Sequence, residues 1–530
     1  MPAPLRLRGI AASPGFAEGP IFPISETIGR YEQKNGVEAE REALRRAIAE
    51  ASSRLEGLMS RATDESAEML EFQLAMLADD ALTEPAYAAI SGGAAADIAW
   101  SRALDAECAG YESSDNEYFR ARAADLRDIR DQVLASLSGS LREVAPTGSI
   151  VYGHDITPTR FLETDWSQGG GIALTAGSAA SHVAMLARAR GVPMVVALPA
   201  PKSVPAGIAL LDGLEGGFVV SPSVSDLERY RVRAQKLSEV RREAAKYLAA
   251  AAATCDGTAV RVLVNVADPS DVKAIDIAWC DGVGLMRTEF LYGRQGGLPD
   301  EETQYQAYRR VLEWAGDKPV TIRTVDAGGD KPVAGLTVEE TNPFLGLRGI
   351  RLTLARPEIF RVQVRALLRA SNHGSLKVMF PMVSDPEEYD RAAAFFHSEA
   401  ASLSKEGAPH SVPPLGIMVE VPAVAITPER FAHAAFFSIG SNDLTQYVMA
   451  AARDNPSVAG LNDVRNPAVL KLVGGLATFG ASNAVPVSLC GDAGGDPSAI
   501  PDLLQAGLRD LSVAPAQLAM AKAAIAGVSL

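Results

Sequence analysis

The spacing of hydrophobic positions changes along the chain, and each change marks a predicted domain. Residues 1–20 and 145–222 carry short β-type apolar runs separated by glycine and proline, such as "GSIVYG", "GIALT" and "PMVVAL". Residues 21–144 instead repeat apolar side chains at helical spacing. The pattern predicts a small α/β domain that is interrupted by an all-helical domain.

One uninterrupted helical pattern follows at residues 223–252 and is long enough to form a stiff connecting helix. Residues 253–530 then alternate β-type runs with helix-patterned segments, and there are eight such runs. Eight alternating units in this length predict a closed parallel (β/α)8 TIM barrel. The runs are "AVRVLVNV", "GVGLMRT", "PVTIRTVD", "LKVMFPMV", "LGIMVEV", "FFSIGSN", "VPVSLC" and "LSVAP". The fold class is therefore expected to be α/β multidomain.

Composition agrees with an ordinary globular protein, since 47% of the 530 residues are hydrophobic and 22% are charged. No apolar run reaches ~18 residues, so no membrane span is expected. The four cysteines form no CxxC pair, which argues against a zinc site or a disulfide framework. We expect a cytoplasmic protein. The net charge of −15 argues against non-specific nucleic-acid binding.

Negative charge is concentrated in the predicted helical domain. Residues 38–132 contain 21 acidic residues, 10 arginines and no lysine. One interpretation is a solvated helical bundle. The other is a docking surface for a basic partner, because opposite fields steer encounters.

Polar or reactive side chains recur where the predicted barrel strands end. In such barrels the carboxyl ends of the strands share one face, and that face carries the active site. Any one of these residues could belong to an ordinary ion pair or turn, but recurrence at six strand ends favours a shared pocket. The residues are Asn265, Arg287, Arg323, Asp326, Glu420, Asn442, Asp443 and Cys490.

The chemistry of this set indicates an anionic substrate. Arg287, Arg323 and Arg453 carry guanidinium groups, which match carboxylate and phosphate geometry. Glu420 and Asp443 offer two carboxylates on adjacent strand ends, a donor set typical of Mg²⁺. The predicted pocket is suited to a small phosphorylated acid.

Cys490 is a candidate proton donor or nucleophile at its strand end, and we expect the nearby arginines to favour its thiolate. A buried structural cysteine is the alternative.

His182 stands at the predicted start of a helix in "TAGSAASHVAMLARARGVP". Unpaired N–H groups and the helix dipole make the start of a helix a binding site for phosphate. A neutral imidazole there is a nucleophile whose phosphorylated form the helix end stabilises. The alternative is a histidine that caps a turn. Val183, Leu186 and Ala187 are expected to form the buried face of this helix.

Several motifs together carry a resemblance that covers nearly the whole chain. They are "ASPG", "DITPTRF", "SHVAMLARARGVP", "GVGLMRTEFL", "IRTVDAGGDKP", "NPFLGLRGIR", "FPMV", "GIMVEVPA", "FFSIGSNDLTQY" and "LCGDAGGD", in this order. The sequence resembles the enzyme I family of the bacterial phosphoenolpyruvate-dependent sugar phosphotransferase system. The resemblance implies a swivelling phosphohistidine domain interrupted by a helical domain, then a linker helix and a barrel.

The resemblance also implies an activity. The phosphoryl group of phosphoenolpyruvate would pass to His182 and then to the phosphocarrier protein HPr, with release of pyruvate, as the first step of sugar uptake. Cys490 would protonate the enolpyruvate carbon, Glu420 and Asp443 would hold Mg²⁺, and the helical domain would dock HPr. The family dimerises through the barrel domain, which implies a homodimer. The implied substrate-binding residues are Arg287, Arg323, Asn442, Asp443 and Arg453, with Arg348 a further candidate for a phosphate contact.

The histidine loop departs from the family pattern. Ala179 and Ala180 stand where the family usually has groups that can bond to the phosphate. A non-catalytic adaptor that binds HPr therefore stays open as an alternative, although the arginine, carboxylate and cysteine set argues against it. Pyruvate phosphate dikinase and phosphoenolpyruvate synthase share two of the domains, but they also need a nucleotide-binding region. The chain has no GxxxxGK[ST] loop of that kind.

Overall fold

The structure is a computed structural model of the chain. It describes residues 4–24, 31–59, 70, 73–112, 117–139, 144–177, 181–201, 204–292, 298–329, 333, 335–338, 340–452 and 458–530. The chain divides into two compact units, Met1–Ser238 and Glu239–Leu530. No helix among these residues is both long and apolar enough to cross a membrane.

The first unit contains an eight-stranded mixed sheet in the order β1-β8-β7-β3-β4-β5-β6-β2. Its central strands β3, β4, β5 and β6 are parallel, and the outer pairings are antiparallel. The strands are β1 (Leu5–Arg8), β2 (Ile10–Ser13), β3 (Phe16–Pro23), β4 (Ile150–Gly153), β5 (Gly171–Leu174), β6 (Met194–Val196), β7 (Ile208–Asp212) and β8 (Gly217–Val220).

A helical segment is inserted between two neighbouring strands of this sheet. Strand β3 pairs directly with β4, in the register Ile21↔Ile150, although the insertion separates them in sequence. Its helices are α1 (Val37–Met59), α2 (Asp80–Ser91), α3 (Ala96–Glu112) and α4 (Glu117–Ser138), which pack around the buried side chains of Leu44, Leu55, Trp100 and Ile129. Strand β3 runs to Pro23, past the predicted domain boundary at residue 20.

Three further helices lie in the described part of this region. They are α5 (Pro158–Glu163), α6 (His182–Arg190) and α7 (Val224–Ala245). The connecting helix expected at residues 223–252 is thus α7, and it ends at Ala245. Its first turns are fixed to the sheet, because Arg6 and Asp226 form an ion pair of 2.7 Å and the Tyr230 hydroxyl donates to the Leu211 carbonyl.

The second unit is a closed barrel of eight parallel strands, which confirms the predicted fold class. Each strand pairs with the next, and β16 pairs with β9 to close the ring. The strands are β9 (Arg261–Val266), β10 (Val283–Met286), β11 (Pro319–Arg323), β12 (Ser375–Phe380), β13 (Leu415–Val419), β14 (Phe437–Ile439), β15 (Val487–Leu489) and β16 (Asp510–Val513).

Helices follow each of these strands except β9, which is joined to β10 by two short 3-10 turns. They are α8 (Glu301–Ala315), α9 (Gly349–Ala355), α10 (Pro357–Ala370), α11 (Pro386–Glu406), α12 (Pro422–Ile426), α13 (Ser441–Met449), α14 (Pro467–Asn483), α15 (Ile500–Gln505) and α16 (Leu518–Ala526). The short β-type runs become strands because Val, Ile and Leu are buried on both faces of a parallel sheet.

Close packing between neighbouring strands limits side-chain size inside the barrel. A methyl group at Gly284 would lie 2.5 Å from Cβ of Ser512 and 3.2 Å from Cβ of Leu263. Both of these Cβ atoms are bonded directly to the backbone of adjacent strands, so neither can move aside without backbone displacement. Glycine at this position therefore allows β9, β10 and β16 to approach each other.

We expect Gly284→Ala to destabilise the barrel by ~1–3 kcal/mol, as overpacked cores do. Thermal unfolding followed by circular dichroism measures the change. Gly475→Ala is the matched control, because no described atom outside its own helix lies within 4 Å of the added methyl. Alanine in the interior of α14 should raise the free energy of unfolding by ~0.5–1 kcal/mol. A wild-type melting temperature for Gly284→Ala would contradict the packing argument.

Candidate active site

The closed barrel brings the carboxyl ends of its strands to one face. Arg287 follows β10, Arg323 ends β11, Glu420 follows β13 and Cys490 follows β15. The sequence-predicted residues on these strand ends therefore lie on one face of the barrel.

Arg323 is almost fully buried among acidic groups. Its Nη2 lies 3.1 Å from Glu289 Oε1, and its Nη1 lies 3.2 Å from Asp326 Oδ2. Burial alone would lower the pKa of Arg323, but these carboxylates outweigh it and the net pKa is raised. The guanidinium is therefore permanently charged, and its Nε has no hydrogen-bond partner among the described residues.

A second arginine, Arg348, is as deeply buried, although sequence analysis predicts only a minor role for it. Arg348 binds Asp326 with two hydrogen bonds, Nη2 to Oδ2 at 2.8 Å and Nε to Oδ1 at 3.2 Å. Its Nη2 also lies 3.6 Å from Asp443 Oδ2, and its Nη1 donates to the Tyr447 hydroxyl at 3.3 Å. Asp326 thus links Arg323 and Arg348 into one charged cluster.

Glu420 is held by an unusual backbone conformation. The N–H of Met382 donates to Glu420 Oε1 at 2.7 Å, and Met382 has φ of 58°, which is rare for a non-glycine residue. Gly440 also permits the approach, since a methyl group there would lie 2.9 Å from Glu420 Oε2. Backbone strain of this kind persists where the surrounding structure fixes it.

Burial raises the pKa of Glu420 to about 8, with a further contribution from the negative charges of Asp443 and Asp326. Arg323 and Arg348 act in the opposite direction without cancelling this effect. Burial and the neighbouring carboxylates therefore both disfavour the charged form of Glu420.

Asn442 and Asn265 both form hydrogen bonds with groups that lie at or after the ends of neighbouring strands. Asn442 Nδ2 donates to Asp492 Oδ2 at 2.9 Å, and the Asp492 N–H donates back to Asn442 Oδ1 at 3.1 Å. This pair orients the Asn442 amide at the start of α13. Asn265 donates to the Cys490 carbonyl and accepts from the Ser512 hydroxyl, so it braces the strands that carry other site residues.

The thiol of Cys490 is buried, with 3% of its surface exposed. Burial raises its pKa to about 11, and Glu420 adds to this rise, while Ser438, Arg323 and Arg287 oppose it. The expectation of a thiolate is therefore wrong, because desolvation outweighs the attraction of the arginines. At neutral pH the side chain holds a proton that it can donate.

His182 begins helix α6, as the pattern predicts. Ser181 is the N-cap residue, and its Oγ accepts from the Ala184 N–H at 3.3 Å. The helix ends at Gly191, which adopts the left-handed conformation that favours glycine. The predicted face of Val183, Leu186 and Ala187 is buried.

Some predicted site features fall outside the described residues. These are Arg453, the loop residues Ala179 and Ala180, and the side chain of His182. Their predicted roles stay predictions.

Sequence reasoning missed two residues that support this site. Glu289 Oε1 accepts from both Arg323 Nη2 and the Asp326 N–H. Its position two residues after Arg287, directly behind a strand end, was a usable signal. Gln363 lies on helix α10 between apolar residues and gave no signal in the sequence.

Three family models match the chain. They are "PEP-utilising enzyme, N-terminal" at residues 8–122, "PEP-utilising enzyme, mobile domain" at residues 145–216, and "PEP-utilising enzyme, PEP-binding domain" at residues 241–530.

Relatives named phosphoenolpyruvate-protein phosphotransferase match over nearly the full length. The Priestia megaterium protein is 37% identical, with 99% of this chain and 94% of that protein aligned. The Geobacillus stearothermophilus protein is 36% identical (98% and 92%), and the Bacillus subtilis (strain 168) protein is 36% identical (99% and 94%). The chain belongs to the phosphoenolpyruvate-protein phosphotransferase family. The predicted family and enzyme class are confirmed.

Members of this family of PEP-utilising enzymes generally need a metal, and two carboxylates of the barrel fit that need. Asp443 Oδ1 is buried and has no hydrogen-bond partner within the described part of the chain. Burial first, and then the negative charges of Asp443 and Asp326, raise the pKa of Glu420, so the charged form of its carboxyl group is disfavoured without a further positive charge. A cation between these two groups would satisfy the free oxygen and relieve the repulsion.

The protonated state of Cys490 predicts low reactivity. Because the thiolate is the reactive form, iodoacetamide at pH 8 should modify the exposed Cys255 and leave Cys490 intact in the folded protein. Peptide mass spectrometry measures both sites, and denatured protein, in which both should react, is the control. Labelling of Cys490 as fast as Cys255 in folded protein would contradict the assignment of a buried, neutral thiol.

Proposed function

We propose that the chain transfers the phosphoryl group of phosphoenolpyruvate to His182 and then to the phosphocarrier protein HPr, with release of pyruvate. The observation that carries this proposal is the cluster at the barrel mouth. Permanently charged arginines, two carboxylates suited to a cation and a protonated thiol occur there together. These are the groups that binding, cleaving and protonating phosphoenolpyruvate require.

Substrate binding is assigned to Arg287, Arg323, Asn442, Asp443 and Arg453. Guanidinium groups bind the phosphate and carboxylate oxygens of the substrate. Arg323 is suited to this role because its ion pairs with Glu289 and Asp326 fix its orientation. Arg348 strengthens the cluster through Asp326, and we assign it a supporting phosphate contact.

The chemistry divides into two steps at different atoms. An imidazole nitrogen of His182 attacks phosphorus, and the bond from phosphorus to the bridging oxygen breaks, so the electron pair remains with the enolate of pyruvate. The enolate carbon then takes the proton of the Cys490 thiol, and the resulting thiolate recovers a proton from water. A pKa of about 11 suits an acid that stays protonated until the enolate forms.

The metal is proposed to be Mg²⁺, held by Glu420 and Asp443. Carboxylate oxygens with further oxygen ligands from substrate and water form its usual coordination shell. When bound, the ion neutralises the negative charge of the substrate and stabilises the charge that develops on the enolate oxygen.

The phosphoryl acceptor is proposed to be His182 because of its place in helix α6. The first N–H groups of a helix bind phosphate oxygens, and the dipole favours added negative charge. Ser181 already caps Ala184, so its oxygen helps to fix this end of the helix. The alanines at 179 and 180 provide no side-chain hydroxyl, and we therefore assign phosphate recognition in the loop to backbone N–H groups.

The docking surface for HPr is proposed on the helical insertion, residues 21–144. The excess of acidic over basic residues at 38–132 supports a basic partner. We propose residues 1–20 and 145–222 as the phosphohistidine domain, 223–252 as the linker and 253–530 as the substrate-binding barrel. Family membership supports a homodimer through the barrel and a cytoplasmic location.

Replacement of His182 by alanine tests the proposed function directly. We expect His182→Ala to bind phosphoenolpyruvate as tightly as wild type by calorimetry, because the barrel residues are unchanged. It should form no acid-labile phosphoprotein when incubated with ³²P-labelled phosphoenolpyruvate. His410→Ala is the control, since this half-buried histidine of the barrel unit forms side-chain hydrogen bonds with Ser404 and the Ala408 carbonyl and has no predicted role in the site. Normal labelling of His182→Ala would refute the acceptor.

Replacement of Glu420 tests the metal assignment. Glu420→Gln removes one negative ligand, so the rise in melting temperature that Mg²⁺ causes in wild type should disappear, together with most activity. Glu399→Gln is the control, because Glu399 is also a buried glutamate of the barrel unit but pairs with Arg361. An unchanged Mg²⁺ response in Glu420→Gln would exclude Glu420 as a ligand.

A further inference from the structure

We propose that Gln363 is a positioning residue that fixes the two strand ends carrying Arg287 and Arg323. The inference rests on the proposed function, in which these arginines bind the substrate. Gln363 lies on the outer helix α10, is fully buried, and acts through other residues.

The amide of Gln363 makes three hydrogen bonds. Its Oε1 accepts from the Val325 N–H at 3.0 Å. Its Nε2 donates to Thr288 Oγ1 and to the Tyr308 hydroxyl, each at 3.2 Å. Both N–H hydrogens and one oxygen lone pair are therefore used.

These contacts fix the orientation of the amide. The Val325 N–H is a donor and requires the oxygen of the amide. The Thr288 hydroxyl gives its hydrogen to the Arg323 carbonyl at 3.1 Å, so it can only accept from Gln363. A flipped amide would lose both bonds. These contacts therefore allow only one orientation of the Gln363 amide.

The bonded groups stand next to the substrate arginines in sequence. Thr288 directly follows Arg287, and Val325 lies two residues after Arg323. Since Thr288 also holds the Arg323 carbonyl, a single amide connects the backbone beyond β10 to the backbone beyond β11. The positions of Arg287 and Arg323 relative to each other depend on this connection.

The strand ladder itself leaves this connection weak. Strands β10 and β11 share only the pairs Val283↔Val320 and Met286↔Ile322, with a register shift between them. Strand β10 ends at Met286 and β11 ends at Arg323, so the ladder does not extend to Thr288 or Val325. The side-chain network of Gln363, Thr288 and Tyr308 therefore supplies the cross-strand bonding that the backbone lacks there.

A buried and fully satisfied network of this kind is rigid, because breaking any bond leaves a polar group without water. Removing the amide would let the strand ends relax and move the guanidinium groups. A displacement of ~1 Å of positioning groups can lower catalytic efficiency by ~10²-fold.

The test is steady-state kinetics of Gln363→Met, which keeps the length of the side chain but cannot form these bonds. We expect KM for phosphoenolpyruvate to rise ~10-fold and kcat/KM to fall ~10- to 100-fold. A purely structural role would reduce the folded fraction, which lowers apparent kcat without changing KM. The KM value therefore separates positioning from stability.

Gln304→Met is the matched control. Gln304 is equally buried and accepts from the same Tyr308 hydroxyl at 2.9 Å, but its other contacts are Tyr292 and the Pro299 carbonyl. Among the described residues, its side-chain hydrogen bonds reach neither strand end. We expect a lower melting temperature and a wild-type KM for this variant.

Thr288→Val provides a second variant of nearly the same shape, in case Gln363→Met does not fold. It removes the hydroxyl that joins Gln363 to the Arg323 carbonyl, and we expect KM to rise in the same direction. A wild-type KM in the folded variants, or an equal rise in Gln304→Met, would overturn the inference. If wild-type protein produced no pyruvate from phosphoenolpyruvate, the proposed function would fail instead, so the two failures are distinguishable.

Discussion

Desolvation of charge at the mouth of the barrel is the constraint on which the rest of the site depends. Arg323, Arg348, Asp326 and Glu420 are each at most 4% exposed, so none can rely on water to solvate its charge. Buried ion pairs add little net stability, because the loss of hydration offsets the attraction. A cluster of this kind is therefore better explained by function than by folding, and the perturbed pKa values agree with that explanation.

The same desolvation acts on every group of the site, but the resulting protonation state differs from group to group. Arginine stays charged, since the carboxylates around it more than compensate for burial. Burial raises the pKa of Glu420, and the negative charges of its neighbours Asp443 and Asp326 raise it further. Cys490 keeps its proton because burial, which raises the pKa of its thiol, outweighs the opposing attraction of Arg323 and Arg287. Desolvation therefore gives neighbouring groups different properties. The arginines remain charged, the Glu420 carboxyl group favours a bound cation, and the Cys490 thiol remains a proton donor.

Much of the architecture could be predicted from the sequence. Eight β-type runs correspond to the eight barrel strands, since short runs rich in Val, Ile and Leu have few alternatives inside an α/β fold. The helix start at His182 followed from the small residues before it and Gly191 after it. Strand-end positions also predicted that Arg323, Glu420, Asp443 and Cys490 lie on one face, because a closed barrel brings the ends of its strands together.

The remaining features depend on tertiary contacts that leave no local pattern. The thiolate expected at Cys490 was wrong because attraction to arginines can be inferred from composition, whereas burial depth cannot. The sequence predicts only a minor role for Arg348 because its loop has no strand-end position, yet its bidentate contact joins it to Asp326.

Gln363 is one polar residue on an amphipathic helix. Such a residue ordinarily marks the solvent face, and only the fold shows that its amide replaces missing strand pairing between β10 and β11. Residues that hold a site together through buried hydrogen bonds are therefore the hardest to identify from sequence, because their partners lie on other elements.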